Sequence, residues 1–261
     1  MDQTEKGTVL LTTVLLKKLS GFFAIDDQIS LLFREICDDV CEFNPGDIIV
    51  RQGGDYSNIY LVDRGWAVRS RYLPNGTRQI VNVGMPGDFL AMNALLFRTS
   101  DFELACKTDV VAYRFSADRL GTALANQSVL SSALFWVNAH EESLLAERIV
   151  SLGRRTARER TAHILCELIS RLEICGVDDI SRLFIPLSQT DFADILGISL
   201  VHMNKTLRRL ESDKIISFRN ATLRVLDRQR LEIEAGFDSG YVQFTRRQDA
   251  KAWRPERALR A

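Results

Sequence analysis

Few residues in this 261-residue chain have the types and spacing that chemistry requires. A metal-dependent β-roll would need histidines and carboxylates clustered on facing strands. The three histidines, His140, His163 and His202, all fall outside the β-rich stretch described below. Five cysteines stand at 37, 41, 106, 166 and 175. Cys37 and Cys41 are four apart and would share one helical face, but no third and fourth ligand lies near them, so idle or buried thiols are the simpler reading. Gly-x-Ser-x-Gly, Gly-x-Gly-x-x-Gly and P-loop patterns are absent, which leaves hydrolase and nucleoside-triphosphate chemistry without support. These features argue against an enzyme and call for no cofactor and no metal.

The chain does carry a concentrated basic signal. The formal net charge is zero, yet residues 1–150 hold 14 basic and 19 acidic side chains, whereas 151–230 hold 14 basic and 10 acidic. The second half therefore suits a polyanion better. Within it, DFADILGISLVHMNKTLRRL (191–210) gives an apolar stripe, Phe192, Ala193, Ile195 and Leu196, that stops at Gly197. Ser199 then offers an N-cap, and a new stripe runs through Met203, Leu207 and Leu210. Two short helices about a glycine turn, with small Ala193 where they would cross, predict a helix-turn-helix. Thr206 departs mildly, since a larger apolar residue would be typical there. The second helix carries Lys205, Arg208 and Arg209 off its core face, and could lie in the major groove of DNA from Ser199 to Arg209. Ser188, Gln189 and Thr190, at the start of the first helix, would anchor phosphates. An ordinary αα-hairpin is the competing reading. The hairpin KIISFRNATLRVL behind it, turning at Arg219-Asn220-Ala221, favours the first as a bracing β-wing.

The elements that must position these residues can be read outward from there. Residues 8–36 suggest two short helices, the second starting at Asp26 and Asp27. From Val40 short β-branched and aromatic runs alternate with Asn-Pro-Gly, Gly-Gly-Asp, Asp-Arg-Gly and Pro-Asn-Gly breaks, which predicts a roll whose last strand is Val110–Phe115. Leu120 and Leu124 pack a short helix. Leu130, Leu134, Val137, Leu144 or Leu145, Ile149 and Leu152 then recur by threes and fours, the pattern of a helix–helix seam. After Gly153 another amphipathic helix starts, and a strand at Leu183–Ile185 leads into the two-helix motif. From Asp227 on, the pattern dissolves into charges and predicts a poorly ordered tail. LLTTVLLKKLSGFF is interrupted by Lys17 and Lys18 and is too short to span a bilayer, so a cytoplasmic location without membrane contact is expected.

Together, the roll, long helix, helix-turn-helix and wing resemble the Crp/Fnr family of bacterial transcription regulators over about residues 10–226. The marks are NPGD at 44–47, GGDYSNIYLVDRGWA at 53–67, PGDF at 86–89 and SQTDFADILGISLVHMNKTLRRL at 188–210. The resemblance implies an α+β chain with a cyclic-nucleotide-binding-like β-roll sensor at 10–127, a dimerisation helix at 128–152, a winged helix-turn-helix DNA-binding domain at 153–226 and a tail at 227–261. It implies a homodimer on a near-palindromic double-stranded DNA site, with RNA polymerase as a further partner if the protein activates. Aligned through Gly197 and Ser199, the residues facing bases are Val201, His202 and Lys205. Well-studied members carry a glutamate at the position of Val201.

The sensory half departs from members that bind cyclic AMP. There an acidic residue after Pro-Gly and an Arg-Ser pair hold the ribose and cyclic phosphate. Here Asp88 follows Gly87, but Ser100-Asp101 takes the Arg-Ser position, and Leu145-Ala146 replaces the Thr-Ser pair that meets adenine. The resulting effector pocket of Gly87, Asp88, Ser100, Asp101 and Leu145 is degenerate, and control by cyclic AMP is not expected. Neither the cysteine cluster of iron–sulfur members nor the roll histidine of haem members is present. A rival reading keeps the roll as a ligand- or protein-binding module of a signalling subunit, with the C-terminal helices as an interaction module.

Overall fold

The computed structural model describes residues 27–177, 179 and 181–243. The first of the two expected N-terminal helices, the start of the roll at 10 and residues 244–261 lie outside the described residues.

Short strands separated by tight turns build a sandwich of two antiparallel sheets. One orders β1 (Asp39–Phe43), β8 (Val110–Ser116), β3 (Asn58–Arg64) and β6 (Phe89–Leu90). The other orders β2 (Ile48–Val50), β7 (Glu103–Cys106), β4 (Ala67–Tyr72) and β5 (Arg78–Gly84). The Asp-Arg-Gly break explains itself at Gly65, whose φ is +94° and where a Cβ would come within 2.1 Å of the Asp109 carbonyl oxygen. No side chain fits that approach. Tyr60, Val62, Leu104, Cys106 and Ala112 fill the space between the sheets.

Helices cover the outer face of the first sheet. Phe33 of α1 (Asp27–Ile36), Leu120 of α2 (Ala117–Asn126) and Leu130 and Leu134 of α3 (Ser128–Arg154) bury Ile59, Leu61 and Phe115. This corrects part of the expected seam. Leu130, Leu134 and Leu144 face their own chain, and Val137 packs on the same cluster. Of the expected stripe Ile149 does point outward, on a face of α3 that runs through Phe135, Asn138, Glu142, Ala146, Ile149 and Gly153, with Phe135 74% and Ile149 70% exposed. Cys37 lies just past α1 and Cys41 in β1, so they do not share a helical face; burial pushes both thiols up.

A second correction concerns α4 (Ala157–Ile174), which opens on a capping box between Thr156 and Glu159. It is not amphipathic. Every residue from Thr161 to Leu172 is buried, His163, Glu167, Ser170 and Arg171 included. Helices on several sides and the outer face of β4 and β5 enclose it in one continuous core.

Over residues 227–243 the expected disordered tail is the third correction. Asp227 caps α7 (Arg228–Ala235), Gly236 ends it, and α8 (Gly240–Gln243) packs on α3 and α4. Leu231, Ala235 and Val242 are buried, and Tyr241 stacks on His163 with ring centroids 5.8 Å apart. So few apolar anchors in a charged stretch leave no period to read.

Candidate nucleic-acid interface

The predicted two-helix motif forms as α5 (Gln189–Leu196) and α6 (Leu200–Ser212). Gly197 has φ 61°, the left-handed conformation that closes α5, and Ser199 caps α6 by accepting from the His202 N–H at 3.2 Å. Phe192, Ala193, Leu196, Met203, Leu207 and Leu210 are buried and lock the two helices together. Thr206 is tolerated in that core because its hydroxyl donates to the His202 carbonyl at 2.9 Å. On the opposite face Val201, His202, Lys205, Arg208 and Arg209 are all exposed, Val201 at 79%. An apolar tip followed by three cations along one exposed helical face can meet base edges and phosphates together.

Behind α6, β10 (Ile216–Arg219) and β11 (Thr222–Val225) form the wing, with β9 (Leu183–Phe184) as a third strand. Asn220 (φ 50°) and Ala221 (φ 57°) make the turn, both in the left-handed region that tight hairpins favour. Glu211 of α6 accepts from the Phe218 N–H at 3.0 Å and Phe192 meets Phe218 edge-on at 5.6 Å, so the wing is tied to both helices. Arg219 and Arg224 are exposed on this hairpin. The hairpin is thus more than a brace, and Arg219 at its turn is the residue in the sequence that signals it.

At the start of α5, Gln189 and Thr190 are exposed, but Ser188 is engaged as the cap. Its hydroxyl accepts from the Asp191 N–H and donates to Asp191 Oδ2. Asp191 itself is 1% exposed and was not singled out from sequence. Burial alone would raise its carboxyl. Lys107 and the Ser188 hydroxyl and N–H outweigh it and hold the group below the ordinary carboxylate range.

The five expected effector residues do not converge. Gly87 and Asp88 line a cavity of about 40 Å³ beneath Trp136, His140 and Leu144 of α3. Asp88 turns its Oδ2 back to the Met85 N–H at 2.7 Å and to Arg171 at 2.6 Å. Ser100 is buried, and its hydroxyl donates to the Phe102 carbonyl at 2.7 Å. Asp101 and Leu145 line a separate open groove of about 330 Å³, where Asp101 pairs with Arg71 at 3.3 Å. Among the described residues no group of three or more His, Cys, Asp or Glu could hold a metal ion.

A roll, a long helix and a winged helix-turn-helix with an exposed basic helix face define a DNA-binding transcription regulator. The comparisons agree domain by domain. The cyclic nucleotide-binding domain family matches residues 40–127, and the Crp-like helix-turn-helix domain family matches residues 159–233. The nitrogen fixation regulation protein FixK of Bradyrhizobium diazoefficiens is 29% identical over 191 residues, covering 73% of this chain and 79% of that one. The transcriptional activatory protein AadR of Rhodopseudomonas palustris is 27% identical, covering 73% and 78%. The solved structure of FixK2 from Bradyrhizobium japonicum superposes with a TM-score of 0.70 at 22% identity, covering 77% of this chain and 98% of that one. The chain belongs to the Crp/Fnr family of transcription regulators.

Proposed function

We propose that the protein works as a homodimer that reads a near-palindromic duplex through α6, in the cytoplasm, without cyclic AMP and without catalysing a reaction. The observation that carries this is the exposed face of α6. Val201 and Lys205 lie in its first two turns, where a recognition helix meets base edges, and Arg208 and Arg209 follow where phosphates run. Valine at 201 cannot accept from a cytosine amino group, but its methyls suit a thymine methyl. His202 and Ser199 complete the tip, and Gln189 and Thr190 at α5 face the flanking backbone, with Ser188 contributing through its cap.

Dimerisation is supported by the outward stripe on α3. Phe135, Ile149 and Val150 are large, apolar and exposed, and Ala146 and Gly153 are small enough for close approach. A two-fold seam there would set two α6 helices on successive major grooves, about 34 Å apart. Independence from cyclic AMP is supported by the narrowness of the cavity beside Gly87. Its volume of about 40 Å³ compares with roughly 300–1,000 Å³ for an ordinary small-molecule site. RNA polymerase is the further partner if the protein activates. Selecting bound duplexes from a random pool tests the reading. An enriched inverted repeat is expected, and a pool that stays random would refute it.

A further inference from the structure

The helix that carries the reading head is held at both ends by the roll. At its N-terminus Asp191 accepts from Lys107 Nζ at 2.7 Å and from Arg78 Nη2 at 2.8 Å, besides the two Ser188 bonds of its capping box. Arg78 continues to Asp194, one turn along the same face, at 2.7 Å through Nε and 2.6 Å through Nη2. At the other end Gln79 Nε2 donates to the Ile195 carbonyl at 3.2 Å, and the turn glycine lies against Leu152 of α3. Lys107 sits between β7 and β8, and Arg78 opens β5.

A capping box needs neither cation. Serine and aspartate satisfy each other, and such caps commonly sit in water. Here the aspartate is buried against two positive charges from another part of the chain, and a buried carboxylate persists only with such partners. Because α5 and α6 share a core, any tilt of α5 on β5 carries α6 with it. α6 has 13 residues, about 20 Å of helix, so a tilt of about 10° moves its far end by about 3 Å, one base-pair step.

We propose that Arg78 and Lys107 are positioning residues for DNA recognition: by gripping Asp191 and Asp194 they set the angle of α6 and hence the half-site spacing the protein accepts. This rests on the reading of α6 as the DNA-contacting helix. Neither residue needs to touch DNA to act.

The test uses the full chain and the inverted repeat enriched by the wild type, versions with one base pair added to or removed from the spacer, and a duplex with a single half-site. The wild type should lose about 100-fold in affinity when the spacing changes, because one head then disengages. Arg78→Gln/Lys107→Gln should lose less than about fivefold on the same change, bind the native spacing about tenfold more weakly, and bind the single half-site as the wild type does. Arg78→Lys should restore the spacing preference. A folded double variant that keeps the full preference overturns the proposal. So does one whose half-site binding falls as far as its palindrome binding, since the charges then serve domain stability alone. If the double variant fails to fold by circular dichroism, Lys107→Met alone is measured by the same criteria. A wild type that binds no duplex overturns the reading of α6 itself, a different failure from a rigidly spaced variant.

Discussion

Arg171 Nη2 stands 2.6 Å from Asp88 Oδ2, joining the buried helix α4 to the turn that follows Pro86-Gly87 in the roll. The same nitrogen donates to the Val83 carbonyl at 2.7 Å, and Nη1 lies 3.7 Å from Glu167. Burial opposes the guanidinium charge, and Asp88 and Glu167 together outweigh it. Asp88→Ala should therefore cost about 3–5 kcal/mol, because it strips a buried cation of its closest counter-charge. Arg171→Met should cost less, since Asp88 keeps the Met85 N–H and some exposure to water. Urea unfolding of both variants decides this, and the reverse order would contradict the pairing.

The two faces of α3 should respond differently to charge. Ile149→Glu is expected to yield a folded monomer, because Ile149 points away from its own chain. Leu134→Glu should instead unfold the roll, because Leu134 is 2% exposed in the cluster with Phe33 and Phe115. Light scattering and circular dichroism separate the outcomes. A dimeric Ile149→Glu variant would place the seam elsewhere.

Acid should weaken the fold through His163. Burial, with Arg155 and Arg148 nearby, lowers its pKa from 6.5 to about 3. Glu147 lies 3.2 Å from its Nε2 but is already committed to Arg155 at 2.6 Å. Between those two pH values the unfolded chain binds a proton that the folded one does not. Stability therefore rises with pH across that window and falls by about 1 kcal/mol per unit on acidification. His163→Phe, which can keep the contacts with Phe237 and Tyr241, should show a shallower slope between about pH 4 and 6. An unchanged slope would mean that the imidazole is protonated in the folded state.

Much of the candidate site was visible in the residues themselves. Gly197, Ser199 and the apolar positions of α5 and α6 are local devices whose meaning depends on neighbours within a few residues. The turn of the wing at Asn220 was legible for the same reason. Periodicity failed where it reports that a face is buried but not against what. The leucines of α3 satisfied a seam pattern while serving the roll. α4 resisted because it is enclosed on all sides, and its charges at Glu167 and Arg171 imitate a solvent face. Nothing in the sequence announces that Asp191 will meet Arg78 and Lys107, which lie 113 and 84 positions earlier.

Cyclic AMP should leave the melting temperature and DNA affinity unchanged. Asp88 is occupied by Arg171, Ser100 and Asp101 lie away from it and offer no cation for the cyclic phosphate, and the cavity beside Gly87 is small. Titration calorimetry showing micromolar binding would refute this.

If α6 reads bases, Lys205 is the side chain on which that reading turns. Lys205 is exposed one turn beyond Val201 and can donate to guanine O6 and N7. Arg208 and Arg209 lie further along and are assigned to phosphates. The measurement is the affinity of Lys205→Ala for the selected site and for a random duplex at several salt concentrations, beside Arg208→Ala. Lys205→Ala should lose about 1–3 kcal/mol on the selected site only and relax its preference at one base pair per half-site. Arg208→Ala should weaken both duplexes alike and flatten the salt dependence. Equal weakening of both duplexes by Lys205→Ala would contradict base reading by this helix face.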